Sequence, residues 1–258
     1  MNDMGFVRSQ VAKIVKWVLA RQGFVLSRPS PPTFKFGLDP WVDIDRLASD
    51  WNYPITLFFD VGANDGERTV AALRQFPKAR IISFEPHPVT FSELMTRMSD
   101  EARFQGVNSA LGSEIGEVKM FEYDASKMNS LTDDAQYAVR FGIKGRRIGV
   151  QCTTLDAYCA QNKIEWIDVL KIDTEGCDFA VLQGSSVMLQ KHAIKFIYFE
   201  FNDLEPKEGT FGGALMPIDA LLRPHGYRFV ASYNDYIVTD GEMFSVSNAL
   251  FALPPLAR

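Results

Sequence analysis

The stretch Leu57-Phe58-Phe59-Asp60-Val61-Gly62-Ala63-Asn64-Asp65-Gly66 limits what this chain can fold into more than any other. A run of large apolar residues ends in an acid and a glycine-rich turn, and residues 67–76 then carry helical spacing. Continuous hydrophobics followed by such punctuation mark a parallel strand buried on both faces. The two glycines let the backbone turn sharply and lie close to a ligand, because no Cβ intervenes. In a doubly wound sheet, ligands sit beyond the carboxyl ends of the strands, where this turn falls. The next strand, residues 79–84, ends in Glu85-Pro86. A carboxylate roughly twenty residues past such a turn suits the two hydroxyls of a ribose.

Strands and helices alternate from there on, which predicts an α/β fold with a mostly parallel sheet. Residues 88–98 read as the second helix, 104–107 as the third strand and 154–162 as a helix with Thr153 or Thr154 near its N-cap. Residues 167–172 and 195–201 are the fourth and fifth core strands, flanking a helix over 178–189 that breaks near Gly184. A helix over 217–222 follows, and segments 227–231 and 249–253 would close the sheet as an antiparallel pair. Segments 118–123 and 147–152 alternate as half-exposed strands do. The polar stretch 124–145 between them reads either as a loop over the site or as a surface insertion.

Four segments in this order carry a resemblance. Asp60-Val61-Gly62-Ala63-Asn64-Asp65-Gly66, Phe84-Glu85-Pro86, Asn108-Ser109-Ala110-Leu111-Gly112 and Leu170-Lys171-Ile172-Asp173-Thr174-Glu175-Gly176 resemble the FkbM family of S-adenosylmethionine-dependent methyltransferases. The resemblance runs from about Leu57 to Leu253. It implies a Rossmann-like class I methyltransferase fold: a mostly parallel seven-stranded sheet whose last strand inserts antiparallel between the fifth and sixth. Residues 1–53 would then be an N-terminal helical extension and linker, and 54–258 the methyltransferase domain.

Cofactor binding needs a shaped turn, a ribose carboxylate and a handle for the methionine ammonium and carboxylate. Gly62, Ala63, Asn64 and Gly66 fit the turn, Glu85 (with Pro86) the ribose, and Asp60 could reach the ammonium directly or through water. His87 either lies near the adenosine or begins the next helix. Asn108, Ser109 and Ala110 resemble the strip beside the adenine. Lys171, Asp173, Glu175 and Glu200 are the catalytic candidates, with Asp173 also in reach of the cofactor. On a strand Lys171 and Asp173 point to one face, and a lysine there is expensive to bury unpaired, so it should meet Asp173 or Glu200. Asp173 or Glu175 could be a general base, or the pair could hold a divalent ion with Glu200. No histidine stands among them, so metal-independent catalysis is the expectation. Asp178 reads as a cap of the helix after Gly176.

Composition narrows the partners. The 258 residues are 47% hydrophobic with a net charge of −5, enough for a full core and against a nucleic-acid partner, which normally needs a basic excess. Cys152, Cys159 and Cys177 are odd in number and form no CxxC, as in a reducing, cytoplasmic setting. Apolar residues over 7–21 share a face beside Arg8, Lys13, Lys16 and Arg21. Such a helix can pack on its own domain, on a second copy in a homo-oligomer, or on an anionic membrane surface. Residues 27–32, with three prolines, read as a linker. The acceptor implied by the resemblance is a small hydroxylated molecule: a sugar, a glycan or a natural-product intermediate. A dehydrogenase would want a GxGxxG turn, and the turn here is Gly-x-Asn-x-Gly. A membrane-docked binding module would be expected to lose the cofactor residues, which are present.

Overall fold

The computed structural model describes residues 36–123, 145–205, 213–238 and 244–255. The expected N-terminal helix and linker, and nearly all of the 124–145 stretch, lie outside the described residues. At the centre stands β1 (Leu57–Val61), paired in parallel with β2 (Arg80–Phe84) on one side and β7 (Ile167–Ile172) on the other. The sheet extends through β3 (Phe104–Val107) beside β2 and β8 (Ile194–Phe201) beside β7, both parallel. The closing strands are antiparallel: β10 (Phe244–Ala252) lies between β8 and β9 (Arg228–Val238). The seven-stranded order is β3-β2-β1-β7-β8-β10-β9. The mostly parallel sheet and the inserted last strand are both as expected.

Alternate side chains of the central strands point to opposite faces, and each face is buried by its own helices. Phe59, Leu170, Ile172, Ile197 and Phe199 pack with side chains of α4 (Leu155–Asn162), α5 (Asp178–Gln183), α6 (Ser186–Gln190) and α7 (Leu215–Leu222). Phe58, Ile81, Val169, Phe196 and Tyr198 pack with α1 (Pro40–Asp50), α2 (Glu67–Gln75) and α3 (Pro88–Arg97). The break near Gly184 is present, between α5 and α6; a Cβ at Gly184 would lie 2.0 Å from the Gly112 carbonyl oxygen. Helix α1 starts where Asp39 accepts the amides of Trp41 (2.9 Å) and Val42 (3.2 Å), with Pro40 at its first position. Trp41, Ile44 and Ala48 are buried, and the Trp41 ring lies 5.3 Å from that of Phe58. Thus α1, assigned from sequence to the extension, is part of the core.

A second, three-stranded sheet follows β3: β5 (Gly116–Tyr123) pairs antiparallel with β6 (Gly145–Thr153), which also pairs with the short β4 (Ala110–Leu111). Thr154 caps α4 by accepting the Ala157 amide at 3.1 Å.

The edge opposite the glycine turn is tied by one buried carboxylate. Asp168 accepts from Tyr53 Oη (2.5 Å), Thr56 N (2.6 Å), Thr56 Oγ1 (2.8 Å) and Leu57 N (2.8 Å). Asp168→Ala strands these donors, so a loss of about 3 kcal/mol is expected, or about 6 to 12 °C in melting temperature. Thermal unfolding checks this; an unchanged midpoint would show the donors rehydrated.

Candidate active site at the carboxyl edge of the sheet

The turn after β1 is pinned to the neighbouring strand ends. Gly62 N and Ala63 N both donate to the Phe84 carbonyl at 3.0 Å, and Asp173 N donates to the Val61 carbonyl at 3.0 Å. Gly62 adopts φ +73°, and a Cβ there would lie 1.8 Å from the Asp173 carbonyl oxygen. Glycine is therefore demanded by the chain after β7, and not by ligand space as its position in the turn suggested. Gly66 opens α2, and a Cβ there would meet Leu94 Cδ1 of α3 at 2.7 Å.

Glu85 is buried at the end of β2 and joins two turns. Its Oε2 accepts the Asn64 amide and its Oε1 the His87 amide, each at 2.9 Å. Burial pushes the carboxyl group up, and those two amides pull it back. Each oxygen keeps acceptor capacity for a further donor. His87 proves to be the N-cap of α3: Nδ1 accepts the Thr90 amide at 3.3 Å, which leaves Nε2 to donate to Glu122 Oε1 at 2.8 Å. Of its two expected roles, the helix start is the one observed, with an added link to β5. Asn108 Nδ2 donates to the carbonyls of Glu85 (2.8 Å) and Pro86 (3.0 Å). Ser109 Oγ lies 3.0 Å from the Ala110 carbonyl and 3.1 Å from that of Gln151. The β2 exit, the β3 exit and β4 thus line one strip beside the turn.

Lys171 lies fully buried on β7. Its Nζ is 2.9 Å from Asp60 Oδ1 and 3.4 Å from Asp173 Oδ2. Asp173 was foreseen; Asp60 is the nearer partner and Glu200 is not one. The signal was present but needed the register, which sets Asp60 opposite Lys171 across β1 and β7. The Asp60 Oδ1 contact is ionic and not a directed hydrogen bond. Its Oδ2 accepts from Thr69 Oγ1 at 2.6 Å, and Thr69 meets Ser83 Oγ at 3.0 Å. Thr69 and Ser83 escaped sequence reasoning. Asp60 has 0% exposure and faces Lys171 and Thr69.

Beyond β7 the loop is bound to β8 through Asp178. This carboxylate accepts from Thr174 N (2.9 Å), Thr174 Oγ1 (2.5 Å) and Glu200 N (2.9 Å). It is a cross-link and not the expected cap: Cys177 stands at the N-cap of α5 without a side-chain bond. Glu175 holds φ +52° and precedes Gly176 at φ +96°. A bulky residue there is strained, and such strain collects at functional loops. Burial first, then the charges of Asp173 and Asp178, push Glu175 up to about 8. Glu200 also moves up, through burial and then Asp173, Glu175, Asp178 and Asp235. Asp173, Glu175 and Glu200 therefore share one edge with the glycine turn. Among the described residues no three His, Cys, Asp or Glu side chains converge so as to hold a metal ion, and no helix is long and apolar enough to cross a membrane.

A family profile described as "Methyltransferase FkbM domain" matches residues 60–229. The chain is similar to the 2-O-methyltransferase NoeI of Sinorhizobium fredii, 27% identical over 69% of this chain and 74% of that protein. It is 28% identical to the 31-O-demethyl-FK506 methyltransferase FkbM of Streptomyces tacrolimicus, over 69% of this chain and 75% of that one. Among solved structures, the METTL16 MTase domain aligns with a TM-score of 0.48 at 10% identity, covering 94% of this chain and 79% of that one.

Proposed function

This chain belongs to the FkbM methyltransferase family, and from that premise we propose that it methylates a hydroxyl of a small acceptor with S-adenosylmethionine as donor. The acceptor class is a sugar or glycan unit, or a natural-product intermediate. The similar NoeI is a 2-O-methyltransferase and the similar FkbM acts on a 31-O-demethyl compound, which supports oxygen as the methylated atom.

The observation that carries this reading is the Glu85 carboxylate, buried at the end of β2 and aimed by the Asn64 and His87 amides. A carboxylate with acceptor capacity left, beside a pinned turn, fits the diol of the donor's ribose, and Asn108, Ser109 and Ala110 fit the rim of its base. When bound, the donor supplies an electrophilic methyl group on a sulfonium. The chain must then orient the acceptor and remove one proton. Asp173 and Glu175, on the same edge as the turn, accept hydrogen bonds from the acceptor hydroxyl. One of them would take the hydroxyl proton as the methyl passes from sulfur to oxygen, the electron pair of the broken sulfur–methyl bond staying on the neutral thioether that leaves. The neighbouring carboxylates stabilise the positive charge carried in the transfer.

Calorimetric titration with S-adenosylmethionine, S-adenosylhomocysteine and a nicotinamide dinucleotide tests the donor site. Binding of the first two and not the third is expected. Glu85→Ala should lose about 1.5 to 3 kcal/mol, roughly ten- to a hundred-fold in affinity. Wild-type affinity in a folded Glu85→Ala chain would move the site elsewhere. Transfer of a labelled methyl group to a panel of glycosides and hydroxylated polyketides then assigns the acceptor class.

Residues 1–35 carry the docking role: the basic, apolar-faced segment binds a second subunit or an anionic surface. A chain beginning at Phe36 is expected to keep donor binding. Light scattering and liposome flotation of both lengths test this; if neither changes on truncation, the docking role is lost.

A further inference from the structure

Beneath the glycine turn lies a buried polar chain centred on one cation. Lys171 Nζ donates to the Gly62 carbonyl at 2.9 Å and the Val61 carbonyl at 3.4 Å, besides its contacts with Asp60 and Asp173. Asp60 continues the chain to Thr69 on α2 and Ser83 on β2. One lysine against two carboxylates leaves a single net negative charge. Asp173 carries it outward, since its side chain is 30% exposed and that of Asp60 0%. Stability alone does not account for this arrangement, because a buried ion pair is often replaced by apolar residues without loss. The contacts that a plain Lys171–Asp60 pair would not need are those to the Gly62 carbonyl and to Asp173. They join the turn to the acceptor edge.

We propose that Lys171 is a positioning residue for methyl transfer: its ammonium ties the Gly62 carbonyl and the Asp173 carboxylate to one point and so sets the donor turn against the acceptor edge. This rests on the reading of that turn as the donor site. Lys171 touches neither donor nor acceptor and acts through the groups it holds.

Lys171→Met alone leaves Asp60 buried and uncompensated, so stability and binding should fall together. The informative variant is Lys171→Met with Asp60→Asn, which removes the pair and keeps the same single charge on Asp173. Its melting temperature should return close to wild type. Its affinity for S-adenosylhomocysteine, measured by calorimetry, should stay roughly ten- to a hundred-fold weaker, because the charge-assisted bond to Gly62 is gone. Wild-type affinity in a double variant of wild-type stability overturns the proposal. Should that chain not fold, Lys171→Gln with Asp60→Asn offers an amide pair in the same space; the same loss is expected, and full affinity overturns the proposal equally. Glu85→Ala run alongside separates the two failures. If it too binds S-adenosylhomocysteine as wild type does, the donor-site reading has failed; if it alone weakens, only the role of Lys171 has.

Discussion

Gly62→Ala is expected to abolish donor binding and to destabilise the chain almost as much as Gly62→Val. The Cβ itself is the obstacle: it would lie 1.8 Å from the Asp173 carbonyl oxygen and 2.8 Å from its carbon, at a φ of +73°. Neither partner can retreat, because Asp173 N is bonded to the Val61 carbonyl, and Gly62 N to that of Phe84. A left-handed non-glycine residue costs about 1 to 2 kcal/mol and an overpacked contact about 1 to 3, so about 2 to 5 kcal/mol is expected for either variant. A glycine kept only to make room for a ligand would give a different pattern. Alanine would then be mild, valine severe, and stability untouched in both. Denaturant unfolding and calorimetry on the two variants decide between these causes. A stable Gly62→Ala chain that binds S-adenosylhomocysteine normally would show that the β1 and β7 ends can part.

The contrast shows what the sequence could carry. Strand β1 and its turn were legible because period, punctuation and length agree locally. The mostly parallel sheet was legible because strands and helices alternate, and the resemblance supplied the antiparallel insertion, whereas the order β3-β2-β1-β7-β8-β10-β9 comes from the structure. What failed depended on register or on contacts distant in sequence. Lys171 plainly needed a carboxylate, but only the pairing of β1 with β7 selects Asp60 over Glu200. Asp178 looks like a helix cap from its position, yet the end of β8 supplies one of its donors. His87 reads as a helix start or an adenosine neighbour; its bond to Glu122 depends on the small sheet that brings β5 back beside α3. The spacing of Trp41, Ile44 and Leu47 predicts a short helix leading into the core, as α1 is. The bound drawn at residue 53 placed it with the extension, and the burial of Trp41 and Ile44 shows only against the sheet.

Asp173→Asn and Glu175→Gln are expected to lower turnover by something like 10² to 10⁴, with donor affinity nearly intact. Each amide keeps the shape and removes the proton acceptor. Chelator should leave the parent rate unchanged, since proton transfer and hydrogen bonding to these carboxylates suffice. The pH dependence identifies which of the two is the base. Burial and the charges of Asp173 and Asp178 raise Glu175 from 4.5 to about 8, and a base must be ionised to act. If Glu175 is the base, turnover climbs with pH through about 8, and Glu175→Gln flattens that limb. Stability runs the other way. A carboxyl whose folded value lies above its unfolded one contributes most below the unfolded value and loses that contribution as pH rises through the folded one. The window set by Glu175 is therefore from about 4.5 to about 8, and Glu200, shifted in the same direction, adds to the decline. Melting temperature should fall over the interval in which turnover rises, and Glu175→Gln should reduce both slopes. A rising limb that survives in Glu175→Gln would leave Asp173 or Glu200 as the proton acceptor. Full activity in both amide variants would remove this loop from proton transfer altogether.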